Sequence, residues 1–388
     1  MEQVKLKYLC SSYSTPITQD QIQEAGNYKV YGASGQVGFL AEPGCKCDYL
    51  GIIKDGAGVG RISTYEASSY LLGTMAYIVP NLDVDINWLK YAVMSLNLSE
   101  SISKTTIPHI YFSEYGNRKV SWCTIEEQRS IAVFLDCKCA EIDSVIAATQ
   151  RTIEEYKKLK QSIITEAVTK GVRGKRTMKD SGIEWFCEIP EEWATIPSKF
   201  LFRNSDLLKQ PGDEQLTASQ KYGIISQREY MERENTKIVL ANKGLEDWKH
   251  VEPYDFVISL RSFQGGLEMS ETTGCITWHY IVLKPRKTIV SKYFKWLFKS
   301  EIYIKALQRT CNFIRDGQDL RYSNFVQVPL FEPSLDEQQE IADYLDQKCS
   351  EIDALIAKKE RFLVEMENYK KSLIYEYVTG KKEVPACQ

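Results

Sequence analysis

Apolar residues recur at helical spacing in two long stretches of this chain, and these stretches predict its two longest elements. Successive apolar positions lie four or seven residues apart, which is typical of a helix with one narrow buried face. We expect these side chains to pair the two helices: Ile131, Leu135, Ile142, Ile146 and Ile153 in the first stretch, and Ile341, Leu345, Ile352, Ile356 and Leu363 in the second.

The two stretches are copies of one unit. The segment Glu127–Asp143 returns 210 positions later as Glu337–Asp353, and the match continues without a gap to Thr169 and Thr379. Each copy opens with a capping box, in which a hydroxyl residue is followed three positions later by glutamate. Each is followed by a glycine that favours a helix end. These signals are Thr124, Glu127 and Gly171 in the first copy, and Ser334, Glu337 and Gly380 in the second.

A helix this long with a narrow apolar face cannot bury that face alone. Pairing the two copies as a coiled coil is the economical solution. Two like units related by a pseudo-twofold axis would lie antiparallel, so we predict an antiparallel pair. The alternative is that each helix packs only on its own neighbouring domain.

Two strand-rich regions accompany the helices. Short β-branched and aromatic runs, bounded by Gly, Asn or Pro, indicate strands in both. The predicted fold class is therefore α/β (α+β), with two mixed domains separated by two long antiparallel helices and pseudo-twofold symmetric. The predicted boundaries are 1–123 for the first domain, 124–170 for the first helix, 171–192 for a linker, 193–333 for the second domain, 334–380 for the second helix and 381–388 for a tail.

Composition narrows the class of protein. With 388 residues, 43% apolar and 26% charged, the chain predicts two to three folded domains. No apolar run is long enough for a membrane span and no secretory signal is visible, so we expect a cytoplasmic protein. The 11 cysteines are then expected to be reduced. The pairs Cys45/Cys47 and Cys137/Cys139 lack the second half of a zinc site, so no metal site is predicted.

No catalytic constellation is visible. The glycine loop Asp55–Gly60 is followed by a predicted strand, whereas a dinucleotide-binding loop needs a helix there. Phosphate-loop, nucleophile-elbow and zinc-protease motifs do not occur. The three histidines, His109, His250 and His279, are isolated in sequence. The sequence therefore predicts a recognition component without catalytic residues.

The repeat and the segment between its copies resemble the specificity subunit of type I restriction–modification enzymes. The residues that carry this resemblance are the two Glu-Gln-x-x-Ile-Ala-x-aromatic-Leu-Asp segments with their Glu-Ile-Asp continuation, Met178–Trp185 with Ile189–Trp193, and Gln327–Phe331. It covers essentially the whole chain, although the two variable regions match mainly in plan. One departure is the lead into the first helix, Val120–Cys123, which is not proline-rich.

The resemblance implies what the parts do. The two variable regions would be target recognition domains that each read one half of a bipartite double-stranded DNA site. The helices would set the spacing and dock two modification (methyltransferase) subunits, and restriction (translocase/nuclease) subunits could join. S-adenosylmethionine, ATP and magnesium would be bound by those partners, with no cofactor in this chain.

Arg, Gln and other polar side chains on glycine-flanked loops are the candidates for DNA contact, because they can pair with base edges. In the first domain these are Ser34, Gln36, Lys54, Arg61, Lys104 and Thr105; in the second they are Arg261, Ser262, Gln264, Arg315, Gln318 and Arg321. The net charge of the whole chain is −3, and neither predicted domain carries a strongly basic field when charge is summed by region. A companion subunit would then supply much of the attraction to phosphate.

Two further functions stay open. The chain could serve a type IIB-like system, in which one fused nuclease–methylase replaces separate subunits, or it could be a coiled-coil scaffold without a DNA role.

The Gly- and Lys-rich linker is equally compatible with a flexible solvated connection and with a tether on the DNA backbone.

Overall fold

The computed structural model describes residues 2–56, 58–103, 107–183, 186–237, 240–241, 243–259, 262–310 and 320–385. The chain forms two compact units, and each long helix contributes to both. Unit 1 comprises Met1–Arg151 and Lys359–Gln388, and unit 2 comprises Thr152–Lys358. No helix among the described residues is long and apolar enough to cross a lipid bilayer.

Unit 1 contains a mixed domain of small sheets. Its strands are β1 (Glu2–Lys5), β2 (Cys10–Ser14), β3 (Tyr28–Gly32), β4 (Gly35–Leu40), β5 (Tyr49–Ile53), β6 (Ile62–Tyr65), β7 (Tyr70–Leu71), β8 (Met75–Pro80) and β9 (Lys119–Trp122), and its short helices are α1 (Ile86–Met94) and α2 (Phe112–Tyr115). The sheet orders are β2-β8-β5-β6, β4-β3-β7 and β1-β9. Only β3 and β7 pair in parallel among these described strands. Helix α1 lies on the main core through Trp88 and Leu89, both fully buried.

The first long helix, α3, spans Ile125–Lys170 and has 46 residues. Its capping box is formed as predicted: the Glu127 amide donates to the Thr124 hydroxyl at 3.3 Å, and the Glu127 carboxylate accepts from the Thr124 amide at 2.9 Å. The helix ends before Gly171, whose φ of +75° is a conformation that favours glycine.

Unit 2 repeats the plan with different sequence. Its strands are β10 (Met178–Ile183), β11 (Phe186–Pro190), β12 (Ala194–Ile196), β13 (Phe202–Ser205), β14 (Leu216–Ser219), β15 (Gly223–Ser226), β16 (Lys249–Val251), β17 (Phe256–Ile258), β18 (Glu268–Met269), β19 (Gly274–Ile276), β20 (Ile281–Pro285) and β21 (Leu330–Glu332). Its short helices are α4 (Ser198–Leu201), α5 (Gln227–Glu234), α6 (Ser262–Gly265), α7 (Ser291–Lys299), α8 (Glu301–Arg309) and α9 (Tyr322–Phe325). The second long helix, α10, spans Leu335–Val378 and has 44 residues.

The sheets of unit 2 mirror those of unit 1. The order β13-β20-β17-β18 corresponds to β2-β8-β5-β6, and the pair β12-β21 corresponds to β1-β9. In both units the last strand before the long helix pairs with the first strand of the domain, antiparallel. This pairing closes each domain at the point where its long helix begins.

In unit 1 the long helices run antiparallel. Lys370 on α10 contacts Asp143 on α3 at 2.6 Å, and further along the pair the Tyr377 ring packs on Phe134 at 4.5 Å between ring centroids. The residue number rises on α10 as it falls on α3, which defines the antiparallel sense.

Unit 2 shows the same arrangement with the roles of the helices exchanged. Lys160 on α3 contacts Asp353 on α10 at 2.7 Å, and Arg173, just past the end of α3, contacts Glu340 at 2.7 Å. The pair Lys160/Asp353 is the repeat counterpart of Lys370/Asp143. The predicted fold of two mixed domains with long antiparallel helices is confirmed, and the alternative in which the helices do not pair is wrong within each unit.

The apolar residues predicted to pair the helices divide into two groups. The buried members are Ile131, Leu135, Ile142, Ile153, Ile341, Leu345 and Ile352, and the half-buried members are Ile146, Ile356 and Leu363. The members nearest each helix start, such as Leu135 and Leu345, also belong to the core of the adjoining domain. One stripe therefore serves two contacts, with the domain at the start of the helix and with the other helix further along.

The segment expected as a linker is folded in its described part, residues 171–183 and 186–192. Strands β10 and β11 form a hairpin, and two basic side chains are engaged in ion pairs. Arg173 contacts Glu340 at 2.7 Å and Arg176 contacts Glu337 at 2.5 Å. The hairpin and the ion pairs to α10 show that this segment is not a flexible solvated connection, and its role as a tether on the DNA backbone stays a prediction.

Candidate nucleic-acid interface

Two of the loops predicted to contact DNA in the first domain come together in unit 1. The Arg61 guanidinium, at the end of the glycine loop, donates to the Ala33 carbonyl at 3.0 Å. Ala33 lies in the turn between β3 and β4, next to Ser34 and Gln36, which are both exposed. The hairpin tip and the glycine loop thus form one polar surface.

A third segment joins them from the other side of the glycine loop. The Gly56 amide donates to the Pro108 carbonyl at 3.0 Å, and Lys54 accepts from the Ile110 amide at 3.0 Å through its own carbonyl. The predicted contacts Lys104 and Thr105 precede this segment but lie outside the described residues. The loop joins antiparallel strands β5 and β6, so the glycines serve a turn and not a dinucleotide site.

His109 belongs to this surface, although the sequence shows it as isolated. Its Nδ1 atom is paired with the Asp55 carboxylate, and its ring contacts the Tyr111 ring at a tilt of 51°, with 4.1 Å between centroids. Both side chains of the pair are partly exposed, at 22% and 28%. No local pattern could reveal this pair, because 54 positions separate the two residues. By contrast, His250 is buried, and its Nδ1 atom lies 2.9 Å from the Asp213 carboxylate. We therefore assign this pair to holding the fold together.

The predicted contacts of the second domain are placed unequally. Gln264 is exposed on α6, whereas Ser262 is 1% exposed and its hydroxyl accepts from the Ser259 amide at 2.8 Å. Ser262 is thus engaged in shaping the loop. Arg321 is exposed and starts α9. The candidates Arg261, Arg315 and Gln318 lie outside the described residues.

A cleft of about 880 Å³ lies beside the Gln264 loop, within unit 2. Tyr222 lines it and carries two cations on its ring, Lys221 at 4.8 Å and Arg233 at 4.9 Å from the centroid. At the cleft wall Glu268 is buried against Lys299; burial raises the pKa of the Glu268 carboxyl, against the lowering effect of that lysine. Sequence reasoning missed these residues because they come from four separate elements.

Each domain is attached to its long helix by hydrogen bonds from one glutamine and one aspartate of that helix, the two fastening residues. Gln128 is fully buried; its amide nitrogen donates to the Cys123 carbonyl at 2.9 Å, and its oxygen accepts from the Asp85 amide at 2.9 Å. Asp85 caps α1, so this glutamine ties the start of α1 to the start of α3. The second fastening residue, Asp136, accepts from Lys90 at 2.9 Å and from the Tyr91 hydroxyl at 2.6 Å.

Unit 2 repeats both fastenings at positions 210 residues later. Gln338 donates to the Pro333 carbonyl at 2.9 Å and accepts from the Val290 amide at 2.9 Å. Asp346 accepts from Lys292 and from the Trp296 indole nitrogen, each at 2.9 Å. In both copies of the repeat, the glutamine and the aspartate hold the domain and the apolar residues form the core. The glutamates differ: the Glu127 carboxylate accepts from the Thr124 amide, whereas the Glu337 carboxylate pairs with Arg176.

The Asp136 fastening predicts a pH dependence. Burial raises the pKa of its carboxyl, but the hydrogen bonds from Tyr91 and Lys90 outweigh this effect and leave the pKa below its usual value. A carboxylate of lowered pKa stabilises the fold above the pKa it has in the unfolded chain, and this stabilisation is lost as pH falls through the folded-state pKa.

We expect Asp136→Asn to lower the free energy of unfolding by about 1 kcal/mol at pH 7, a modest value because the group is partly exposed and screened by solvent. Near pH 3 the difference from wild type should shrink. Urea unfolding at both pH values tests this, with exposed Asp83→Asn as control. A difference that stays constant between the two pH values would contradict the assignment.

A solved chain from a study of complex assembly and conformational transition of the type I restriction–modification system superposes with a TM-score of 0.68, covering 98% of each chain at 14% identity. The two mixed domains and paired long helices of this chain therefore form a fold that is also found in a chain from that study.

Two curated proteins of similar sequence are type I restriction enzyme specificity subunits. The chain is 25% identical over 77% of its length to a Methanocaldococcus jannaschii protein with the provisional name type I restriction enzyme MjaX specificity subunit. It is 33% identical over 28% of its length to the type I restriction enzyme MjaVIII specificity subunit of the same organism. The matches span 65% and 25% of those relatives' own lengths. No protein-family model matches the chain. The resemblance to type I specificity subunits inferred from the sequence is confirmed.

Proposed function

We propose that this chain is the DNA sequence-specificity subunit of a type I restriction–modification complex. Each mixed domain reads one half of a bipartite, asymmetric DNA site, and the long helices set the spacing between the halves. The observation that carries the proposal is that the two domains are attached to their long helices in the same way but differ in their polar loops. The hydrogen bonds of Gln128/Gln338 and Asp136/Asp346 are repeated, while the loop sequences of the two domains differ. An asymmetric DNA site requires two domains that are held in the same way but contact different bases.

The long helices also offer equivalent surfaces for a partner present twice. In unit 1, Val145 is 42% exposed and Tyr369 is 56% exposed. Their repeat counterparts in unit 2, Leu355 and Leu159, are 44% and 48% exposed. Large apolar side chains left exposed at matched positions are typical of an interaction surface. We assign these surfaces to two modification subunits.

Catalysis belongs to the partners in this proposal. The modification subunits use S-adenosylmethionine, and restriction subunits use ATP and magnesium. Among the described residues, no group of His, Cys, Asp and Glu side chains is arranged to hold a metal ion. This chain contributes recognition and assembly in the cytoplasm.

Binding experiments with the chain co-expressed with its modification subunit test the proposal. The complex should bind a duplex carrying its methylated site more tightly than a scrambled duplex, by a factor of about 10³ or more. Equal affinity for the two duplexes would reject a specificity function and favour a scaffold.

Exposed Gln264 is the sharpest residue-level assignment in the second domain. We expect Gln264→Ala to weaken binding by about 1–3 kcal/mol when the second half-site is intact, because an amide side chain can pair with adenine through two hydrogen bonds. Its matched control is Gln36→Ala on the hairpin of unit 1. Each variant should relax the methylated motif in a different half, and an unchanged motif in both would contradict the assignment.

A further inference from the structure

Both domains present an exposed lysine–aromatic pair at the same structural position. In unit 1 the pair is Lys7-Tyr8, and in unit 2 it is Lys199-Phe200. Each pair lies in the single helical turn that follows β1 or β12, the strand that pairs with the last strand before the long helix. The lysine lies over the neighbouring ring in both, with its nitrogen 5.6 Å from the Tyr8 centroid and 5.3 Å from the Phe200 centroid.

The turn is held by the same backbone hydrogen bond in both units. The Leu9 carbonyl accepts from the Asn81 amide at 2.9 Å, and the Leu201 carbonyl accepts from the Arg286 amide at 2.8 Å. Each donor residue follows the proline that ends strand β8 or β20. The two positions are thus equivalent in structure, although the domains otherwise share little sequence.

Packing does not explain the aromatic rings. Tyr8 is 64% exposed and Phe200 is 60% exposed, whereas the next residues, Leu9 and Leu201, are buried at 5% and 0%. In each turn the leucine packs into the core, whereas most of the surface of the aromatic ring is exposed to solvent. An exposed ring at the same place in two dissimilar domains indicates contact with something that both domains meet in the same form.

Further basic residues lie close to both turns along the chain or across the sheet. Near Tyr8, Lys5 pairs in strand register with Lys119, and the Lys7 amide donates to the Gly116 carbonyl at 2.9 Å, which brings that segment beside the turn. Near Phe200, Arg203 follows three residues later and the Arg286 backbone is bonded to the turn. Within the described part of the chain, no ion pair involves Lys5, Lys7, Lys119, Lys199, Arg203 or Arg286.

We propose that these two lysine–aromatic turns bind the phosphodiester backbone of the DNA, one at each half-site, independently of base sequence. This inference rests on the proposed function and deepens it. The unpaired lysines and arginines neutralise phosphates, and the ring packs against the sugar. Backbone is the one part of the duplex that has the same chemistry at two different half-sites, which accounts for a shared contact on domains that read different bases.

The test removes both lysines in the full chain with its modification subunit, as Lys7→Ala with Lys199→Ala. Affinity should fall by a similar factor for the methylated site and for a scrambled duplex. The slope of log K against log salt concentration should lose about one unit for each lysine. The methylated motif should stay the same. Lys158→Ala, an exposed lysine on α3, is the matched control and should leave the slope unchanged.

A second variant, Tyr8→Ala with Phe200→Ala, should weaken binding to both duplexes. It should retain most of the slope of log K against log salt concentration. If the lysine variant keeps wild-type affinity and slope, the proposal is overturned. If it instead binds less modification subunit at unchanged salt slope, the turns contact protein and the proposal is equally overturned. A wild-type complex that does not discriminate its site from scrambled DNA would sink the proposed function itself, so the two failures are distinguishable.

Discussion

Replacing Glu337 with alanine is expected to lower the free energy of unfolding of unit 2 by about 3–5 kcal/mol. The Glu337 side chain is 4% exposed, and its carboxylate holds Arg176 at 2.5 Å and the Trp193 indole nitrogen at 3.0 Å. Arg176 is itself only 14% exposed and lies over the Trp193 ring. Removing the carboxylate therefore leaves a largely buried guanidinium and an indole nitrogen without this acceptor.

The repeat supplies the matched control. Glu127 occupies the same position on α3, but it is exposed and its carboxylate serves only the Thr124 cap. Glu127→Ala should cost about 1 kcal/mol, the typical value of a helix cap. Urea unfolding of the full chain, followed by tryptophan fluorescence, compares the two. Similar losses for the two variants would contradict the role assigned to the buried carboxylate.

Placing aspartate at Ile352 should abolish the pairing of α10 with α3 in unit 2. Ile352 is 6% exposed, so the substitution puts a carboxylate into an apolar contact without a partner. We expect a loss of about 4 kcal/mol or more in the free energy of unfolding, at the upper end of single-residue effects. The counterpart Ile142→Asp, also at 6% exposure, should have a similar effect in unit 1.

Leu355→Asp is the control for this prediction. Leu355 lies three residues further along α10 and is 44% exposed, so the charge remains solvated and the stability should change by about 0.5 kcal/mol. The same variant should weaken binding of the modification subunit, because it charges the proposed docking surface. Thermal unfolding and co-purification read the two effects separately. Wild-type unfolding of Ile352→Asp would show that the helices do not depend on this contact.

The helices and their pairing could be predicted because their signals are periodic and local. The capping boxes at Thr124 and Ser334 and the glycines at 171 and 380 mark the ends, and the repeat marks the equivalence of the two copies. Antiparallel orientation followed from symmetry alone. The physical reason is that the buried face of a helix requires an apolar residue every three or four positions. A long helix therefore leaves many independent indications of itself in the sequence.

The candidate site could be predicted only as a set of loops. The pairing of Asp55 with His109 and the bond from Arg61 to Ala33 join segments that are distant in sequence, and a turn residue carries no signal of its distant neighbour. Ser262 shows the opposite error, because a hydroxyl near glycines suits base contact and loop shaping equally, and the structure buries it. The fastening role of Gln128 and Gln338 was visible as repetition, but its meaning required the domain helix that each one holds.

Single-molecule methylome sequencing of a strain that carries this chain with its modification subunit shows whether the two domains read two halves of one site. We expect one asymmetric motif made of two short defined sequences separated by a gap of constant length and undefined sequence. A single contiguous motif, or two half-motifs methylated independently at variable separation, would contradict it.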